Sequence, residues 1–179
     1  VVKNINKKLI KRHPHVFDRD NRHVDFSDKN WEKSKKIRKN RSSILDGTPT
    51  SLPSVIKSQR LQEKASSVGF DWSELDTVRE KVDEELGELA EAVSEGDSAA
   101  IESEVGDIFL AMVNLARHLG VDAEAALRHA NRRFEDRFRL MEAAAEREGS
   151  HLGEESLERL EERWQTAKRE LADSASAPD

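Results

Sequence analysis

The architecture is written in residues 73–118, SELDTVREKVDEELGELAEAVSEGDSAAIESEVGDIFLAMVNLARH. The first half places Leu75, Val78, Val82, Leu86, Leu89 and Val93 at steps of three and four, one apolar stripe along a helix predicted over Ser73–Glu95. Ser73 and Asp76 are its candidate caps and Gly96 its stop. The second half predicts a helix from about Asp97 to His118, halted by Gly120. Between Ile108 and Ala116 this helix is apolar on every face except at Asn114. Such a segment must be surrounded on all sides, and a bundle of this size achieves that only with help, so a second subunit is expected to cover it.

The pattern continues on both sides. Upstream, Leu52, Val55, Ile56 and Leu61 suggest a helix to about Ser67, ended by Gly69, after a loop marked by Gly47, Pro49 and Pro53. Downstream, Asp122 caps a helix through Leu127, Ala130, Phe134, Phe138 and Met141. A break at Gly149–Gly153 precedes a last helix carrying Leu157, Leu160, Trp164 and Leu171. Charged residues form 37% of the 179 and aromatic ones 5%, with no Tyr, a balance that suits amphipathic helices and is poor in strand formers. The expected fold is all-α, a bundle of four to five helices, dimeric. Its expected parts are a basic polar linker over 1–50, a helical catalytic domain over 51–172 and a disordered tail over 173–179.

Composition excludes several chemistries. With no Cys there is no disulfide, no thiolate nucleophile and no Cys-ligated zinc, so any metal must be held by carboxylates or His, and oxygen ligands favour Mg²⁺, with Mn²⁺ as a possible substitute. The apolar run Ile108–Ala116 is far below the roughly 20 residues of a membrane span, and the N-terminus has no apolar signal core, so a cytoplasmic protein without membrane association is expected. The chain opens at Val1, in what reads as a charged helix interrupted at Pro14, as a fragment of a longer protein would. Residues 1–70 hold 17 Lys+Arg against 7 Asp+Glu, whereas residues 71–179 hold 13 against 29. Aromatics in the basic part are too few for a stacking platform, so it reads as a solvated linker rather than a nucleic-acid binder. His13, His15 and His23 sit there in an irregular setting that suits surface roles better than metal ligation.

The chemistry lies in two acidic steps on consecutive helices. Glu85 and Glu88 are three apart on the first, Glu104 and Asp107 three apart on the second, and residues i and i+3 project from one helical face. At ~100° per residue, Glu85 lies about 60° from the centre of the first helix's stripe and Glu88 about 120°, while Glu84 points nearly opposite it. Antiparallel packing across a short turn would face the two pairs toward each other. Unit charges 4 Å apart repel by ~4 kcal/mol at an effective dielectric near 20, so a divalent cation is expected among them. Glu-rich faces also arise by chance in a chain with 36 acidic residues; it is the occurrence of both pairs beside apolar stripes that singles these out.

The runs Glu84-Glu85-Leu86-Gly87-Glu88 and Glu104-Val105-Gly106-Asp107 resemble the E-E-x-x-E and E-x-x-D signature of MazG-type nucleoside triphosphate pyrophosphohydrolases. The likeness extends to Arg12-His13-Pro14-His15-Val16-Phe17, Leu45-Asp46-Gly47, Ser58 to Trp72, Val113-Asn114-Leu115-Ala116-Arg117-His118 and Ala130-Asn131-Arg132-Arg133-Phe134. The resemblance implies a dimerising all-α bundle, and a piece corresponding to the linker plus the second, catalytic half of a two-domain protein. It implies Glu85, Glu88, Glu104 and Asp107 as metal ligands and catalytic groups, with Glu84 assisting, and Asn131, Arg133 and Arg137 as holders of the triphosphate. The family usually has Lys where Arg133 stands, a departure that bears on phosphate geometry there. Phe70 and Trp72 are candidates either for stacking the base or for plugging the core, and Lys57, Arg60 and Lys64 are further phosphate candidates.

The implied reaction is water attack on the phosphoryl group next to the sugar, yielding nucleoside monophosphate and pyrophosphate. No Ser/His/Asp grouping and no Gly-rich phosphate loop offers another route. The rival reading is a non-catalytic helical dimerisation module that binds a protein partner.

Overall fold

The computed structural model describes residues 42–176, with side chains up to Asp173; the expectations on Pro14, His13, His15 and His23 lie outside the described residues. Five α-helices and no strand occupy the described residues: α1 Ser54–Ser66, α2 Leu75–Glu95, α3 Ser98–His118, α4 Ala123–Arg147 and α5 Leu157–Ser176, with a 3-10 turn at Leu152–Glu154. The all-α expectation holds. α5 reaches Ser176, four residues into the stretch assigned to a disordered tail. The chain divides into two compact units, one ending at Leu115 and the other beginning at Ala116.

In the first unit, the loop before α1 is organised by Asp46, whose Oδ2 accepts from Ser42 Oγ at 3.0 Å and from the Ser43 amide at 2.9 Å. Lys64, on α1, is buried and donates its ammonium to the carbonyls of Ile44 at 3.2 Å and Asp46 at 3.0 Å, which staples loop to helix. Gln62 Nε2 donates to the Leu110 carbonyl at 2.9 Å and ties α1 to α3.

α2 begins two residues later than Ser73. Its N-cap is Glu74, in extended conformation and without a side-chain cap bond, so Ser73 and Asp76 are not caps. Asp76 instead stands in the first turn, where a carboxylate faces the positive end of the helix dipole. At the other end Gly96 adopts φ +71°, a left-handed conformation that costs a glycine nothing, and its amide reaches the carbonyls of Ala92 and Val93. Asp97 then caps α3 by accepting from the amides of Ala99 at 2.9 Å and Ala100 at 3.1 Å. This two-residue corner folds α3 back along α2.

The buried face of α2 is not the stripe read from the sequence. Val78, Glu85 and Ala92 are buried and Val82 and Leu89 half-buried, whereas Leu75, Leu86 and Val93 are exposed. At ~100° per residue the buried face is turned by about 40° from the centre of the apolar stripe, which brings Glu85 near its middle. The shift follows from α2 packing only part of its stripe within the unit. One side of the apolar segment of α3 is likewise uncovered in the single chain, with Phe109 67% and Met112 48% exposed, whereas Val113 and Asn114 are buried.

The second unit is the α4–α5 hairpin. α4 starts as expected at Asp122, whose Oδ1 accepts from the Ala125 amide at 2.9 Å. Met141 and Ala145 of α4 and Ala167 of α5 are buried. An ion network closes the turn around Arg163, whose side chain is 5% exposed. Its guanidinium donates to both oxygens of Glu155, at 2.6 and 2.7 Å, and to Glu148 Oε2 at 2.7 Å. Ser150 Oγ donates to Glu155 Oε1 at 2.6 Å, and Arg159 adds a bond to Glu148 at 3.0 Å.

That network makes the hairpin acid-sensitive. Arg163, then Ser150, hold the Glu155 carboxyl down at about 2 against its ordinary 4.5, and Arg163 and Arg159 lower Glu148 as well. A group with a depressed folded pKa contributes stability that is complete above its unfolded value and lost as pH falls through the folded one. The melting temperature is therefore expected to drop as pH falls from about 5 toward 2. Glu155→Gln should flatten that dependence and lower Tm at pH 7 by about 5 °C or more, because it removes the carboxylate that takes two hydrogen bonds from a buried guanidinium. Circular dichroism melts of both proteins across this range check it; an unchanged pH 7 melt for the variant would refute the role of the network.

Candidate active site

Folding α3 back along α2 brings acidic side chains from both helices together. Glu85 and Glu88 of α2 and Glu104 of α3 each present a carboxylate oxygen, all within 4.8 Å of one another. Glu85 is buried, Glu104 half-buried and Glu88 exposed. Asp107, one turn beyond Glu104, is exposed, and its charge acts on Glu104 together with those of Glu88 and Glu85. The Glu104 carboxyl is pushed above its ordinary range, first by loss of water contact, then by the neighbouring charges of Glu88, Asp107 and Glu85. Its Oε2 is buried without a hydrogen-bond partner.

An acceptor buried among like charges is costly unless a cation or a proton satisfies it. The donor set consists of oxygen alone and opens to solvent on the side of Glu88, which suits a hard divalent ion that keeps part of its water shell. The residues present thus fit a magnesium-type site.

Among the described residues, one cation already touches the cluster. Lys81, one turn before the acidic run on α2, places Nζ 2.7 Å from Glu85 Oε1 and 2.9 Å from Glu84 Oε1. Hydrogen bonds to Glu85, then to Glu84, raise the Lys81 ammonium well above its ordinary pKa, so it stays charged. Glu84 itself is exposed and is not one of the three converging carboxylates. Lys81 belongs to none of the motifs singled out above, although its i,i+3 and i,i+4 spacing to Glu84 and Glu85 is the spacing of a helical ion pair.

The other predicted residues are placed as follows. Lys64 is buried on α1 and directs its ammonium to two loop carbonyls, those of Ile44 and Asp46. Arg60 is exposed and pairs with Glu63 at 2.7 Å, and Lys57 is half-buried on the same helix. Phe70, 78% exposed, and Trp72, 38% exposed, lie in the loop between α1 and α2, so Phe70 plugs no core within this unit.

In the second unit, Asn131 and Arg133 are exposed on α4, and Arg137 is half-buried. The Arg137 guanidinium sits 5.3 Å from the centroid of the Trp164 ring, which also packs against Phe134 at 5.3 Å between centroids. Arg137 Nε is buried and has no hydrogen-bond partner. Trp164 was read only as part of the apolar stripe of α5; its use as a platform joins two helices and leaves no local mark in the sequence.

Residues 73–139 match the MazG nucleotide pyrophosphohydrolase domain, a span that contains all four acidic positions and Asn131, Arg133 and Arg137. The chain is 43% identical over 170 residues to the nucleoside triphosphate pyrophosphohydrolase/pyrophosphatase MazG of Thermotoga maritima, a match covering 94% of this chain and 64% of that protein. It is 42% identical over 183 residues to the nucleoside triphosphate pyrophosphohydrolase of Escherichia coli K12, covering 94% of this chain and 66% of that one. A Bacillus subtilis protein called YabN is 42% identical over 173 residues, with 35% of its length covered. The chain therefore spans just under two thirds of the first two relatives and about one third of the last.

Proposed function

Because this chain carries a MazG nucleotide pyrophosphohydrolase domain, we propose that it hydrolyses nucleoside triphosphates to nucleoside monophosphates and pyrophosphate, using Mg²⁺. The observation that carries the proposal is the convergence of Glu85, Glu88 and Glu104, with a buried Glu104 Oε2 that has no hydrogen-bond partner among the described residues.

Glu85, Glu88, Glu104 and Asp107 hold the metal, and Glu84 steadies the first of them from outside through the shared lysine. Divalent cations bound there would neutralise charge on the triphosphate and ease deprotonation of a water molecule. The water oxygen bonds to the phosphorus next to the sugar, and the bond from that phosphorus to the bridging oxygen breaks, so pyrophosphate leaves with the bridging oxygen. A carboxylate of the set orients the water. Asn131, Arg133 and Arg137 bind the triphosphate, with Arg137 offering an Nε–H that has no partner among the described residues and Arg133 replacing the lysine usual in the family. Phe70 and Trp72, both accessible, stack the base, while Lys57 and Arg60 add positive charge on α1.

A second copy of the chain covers the exposed apolar ridge of α3 at Phe109, Leu110 and Met112, giving a homodimer; light scattering behind a sizing column should read twice the monomer mass. No helix among the described residues is long and apolar enough to cross a membrane, and the proposed substrate pool is cytoplasmic.

The test is a screen of the eight common NTPs and dNTPs with Mg²⁺, resolving products by ion-exchange chromatography. Monophosphate and pyrophosphate in equal amounts are expected from at least one. Diphosphate plus inorganic phosphate contradicts the mechanism, and no turnover of any of them favours the protein-binding module instead.

A further inference from the structure

Lys81, 33% exposed on α2, touches the acidic cluster at Glu85, and its contacts are unequal. The closer one, 2.7 Å, is to Glu85, a carboxylate with 8% of its side chain exposed; the other, 2.9 Å, is to Glu84, with 56% exposed. Among the described residues, Lys81 is the cation in ion-pair contact with the cluster that gathers Glu85, Glu88 and Glu104. One ammonium cannot balance this group: it engages Glu85 at one edge and leaves the Glu104 Oε2 atom without a partner.

We propose that Lys81 is the built-in counter-ion of the acidic cluster, a positioning residue that holds Glu85 in place when no metal is bound and restrains the affinity of the site for divalent cations. The proposal rests on the metal-site reading above and deepens it.

The ammonium and an incoming divalent ion draw on the same carboxylate, Glu85. Either Lys81 gives up one bond on metal binding, or two cations share Glu85 and repel across it; both weaken binding of the metal alone. In exchange, the ammonium relieves part of the repulsion among the carboxylates when the ion is absent, and so keeps α2 and α3 together. Lysine suits this task because its ammonium is a compact charge on a flexible stem, able to swing aside without disturbing the backbone. A nucleotide triphosphate carries the negative charge that offsets the ammonium, so the arrangement favours a metal that arrives with its nucleotide over a metal alone.

The experiment measures binding of Mn²⁺ alone, read as the loss of the free-ion signal in electron paramagnetic resonance, to the full chain and to Lys81→Met and Lys81→Arg. Lys81→Met should bind Mn²⁺ about fivefold tighter or more, as removal of a neighbouring positive charge requires. Lys81→Arg, which keeps the charge, should stay close to wild type. Without metal, Lys81→Met should melt below wild type, and saturating Mn²⁺ should raise its Tm by more than it raises that of wild type. Should the methionine variant lose its helical signal, Lys81→Gln replaces it in the same titration. Equal or weaker Mn²⁺ binding by a folded neutral variant overturns the role of Lys81 and leaves the metal site standing. No Mn²⁺ uptake by wild type overturns both.

Discussion

Replacing Glu88 or Asp107 by Ala should reduce pyrophosphate release at least about a thousandfold, the scale expected when a metal site loses a ligand, while the helical circular dichroism signal is retained. These two positions are the informative ones because both are exposed, so neither side chain contributes packing that its removal would forfeit. Both also raise the Glu104 carboxyl through their charge, which means that each is held against repulsion in the metal-free protein. Truncating Glu88 should therefore leave the metal-free melting temperature unchanged or higher while activity collapses, the opposite ordering to that of a structural residue. Glu85→Ala is a poorer probe, since it also removes the buried partner of Lys81 and confounds folding with chemistry. A Glu88→Ala or Asp107→Ala protein that still turns over nucleotide at more than a few per cent of the wild-type rate would take that residue out of the site.

The helices were legible because their signals are local. Steps of three and four, Gly96 at a left-handed φ and Asp122 as a cap each depend on a few neighbouring residues, and all of them stand in the structure. The start of α2 was misread because Ser73 and Asp76 have the right chemistry for a cap but the chain enters the helix through extended Glu74. The convergence of Glu85, Glu88 and Glu104 was legible from i,i+3 spacing plus one short turn, since a hairpin leaves few ways to face two helices. The depth of Glu85 was not. Periodicity reports the apolar stripe, whereas burial depends on which part of the stripe finds a partner within the unit, and Leu86 and Val93 find none there. The partners of Lys64 and Trp164 were not legible for a related reason: a loop carbonyl twenty residues away and a guanidinium on another helix meet them, and no window of sequence contains both members.

Arg137→Ala is expected to lower kcat/KM by about a hundredfold or more, the usual scale for losing a charge-assisted contact to phosphate that strengthens along the reaction. The guanidinium lies over Trp164, its central carbon 5.3 Å from the ring centroid, and its N–H edge carries the donors that a phosphate would take. That edge includes a buried Nε without a hydrogen-bond partner, an unfavourable state for a residue whose task is to pack and a natural one for a residue that awaits an anion. Arg137→Lys keeps the charge but loses both fork and stacking, so it should recover only a minor part of the lost activity. Trp164→Leu keeps an apolar side chain on α5 and removes the platform; its effect should fall mainly on KM, because the guanidinium is still present but less well held. The three variants thus form a graded series if Arg137 meets the triphosphate. If Arg137 only packs the α4–α5 hairpin, all three should lower Tm while leaving kcat/KM near wild type, and steady-state kinetics measured beside thermal melts separate the two outcomes.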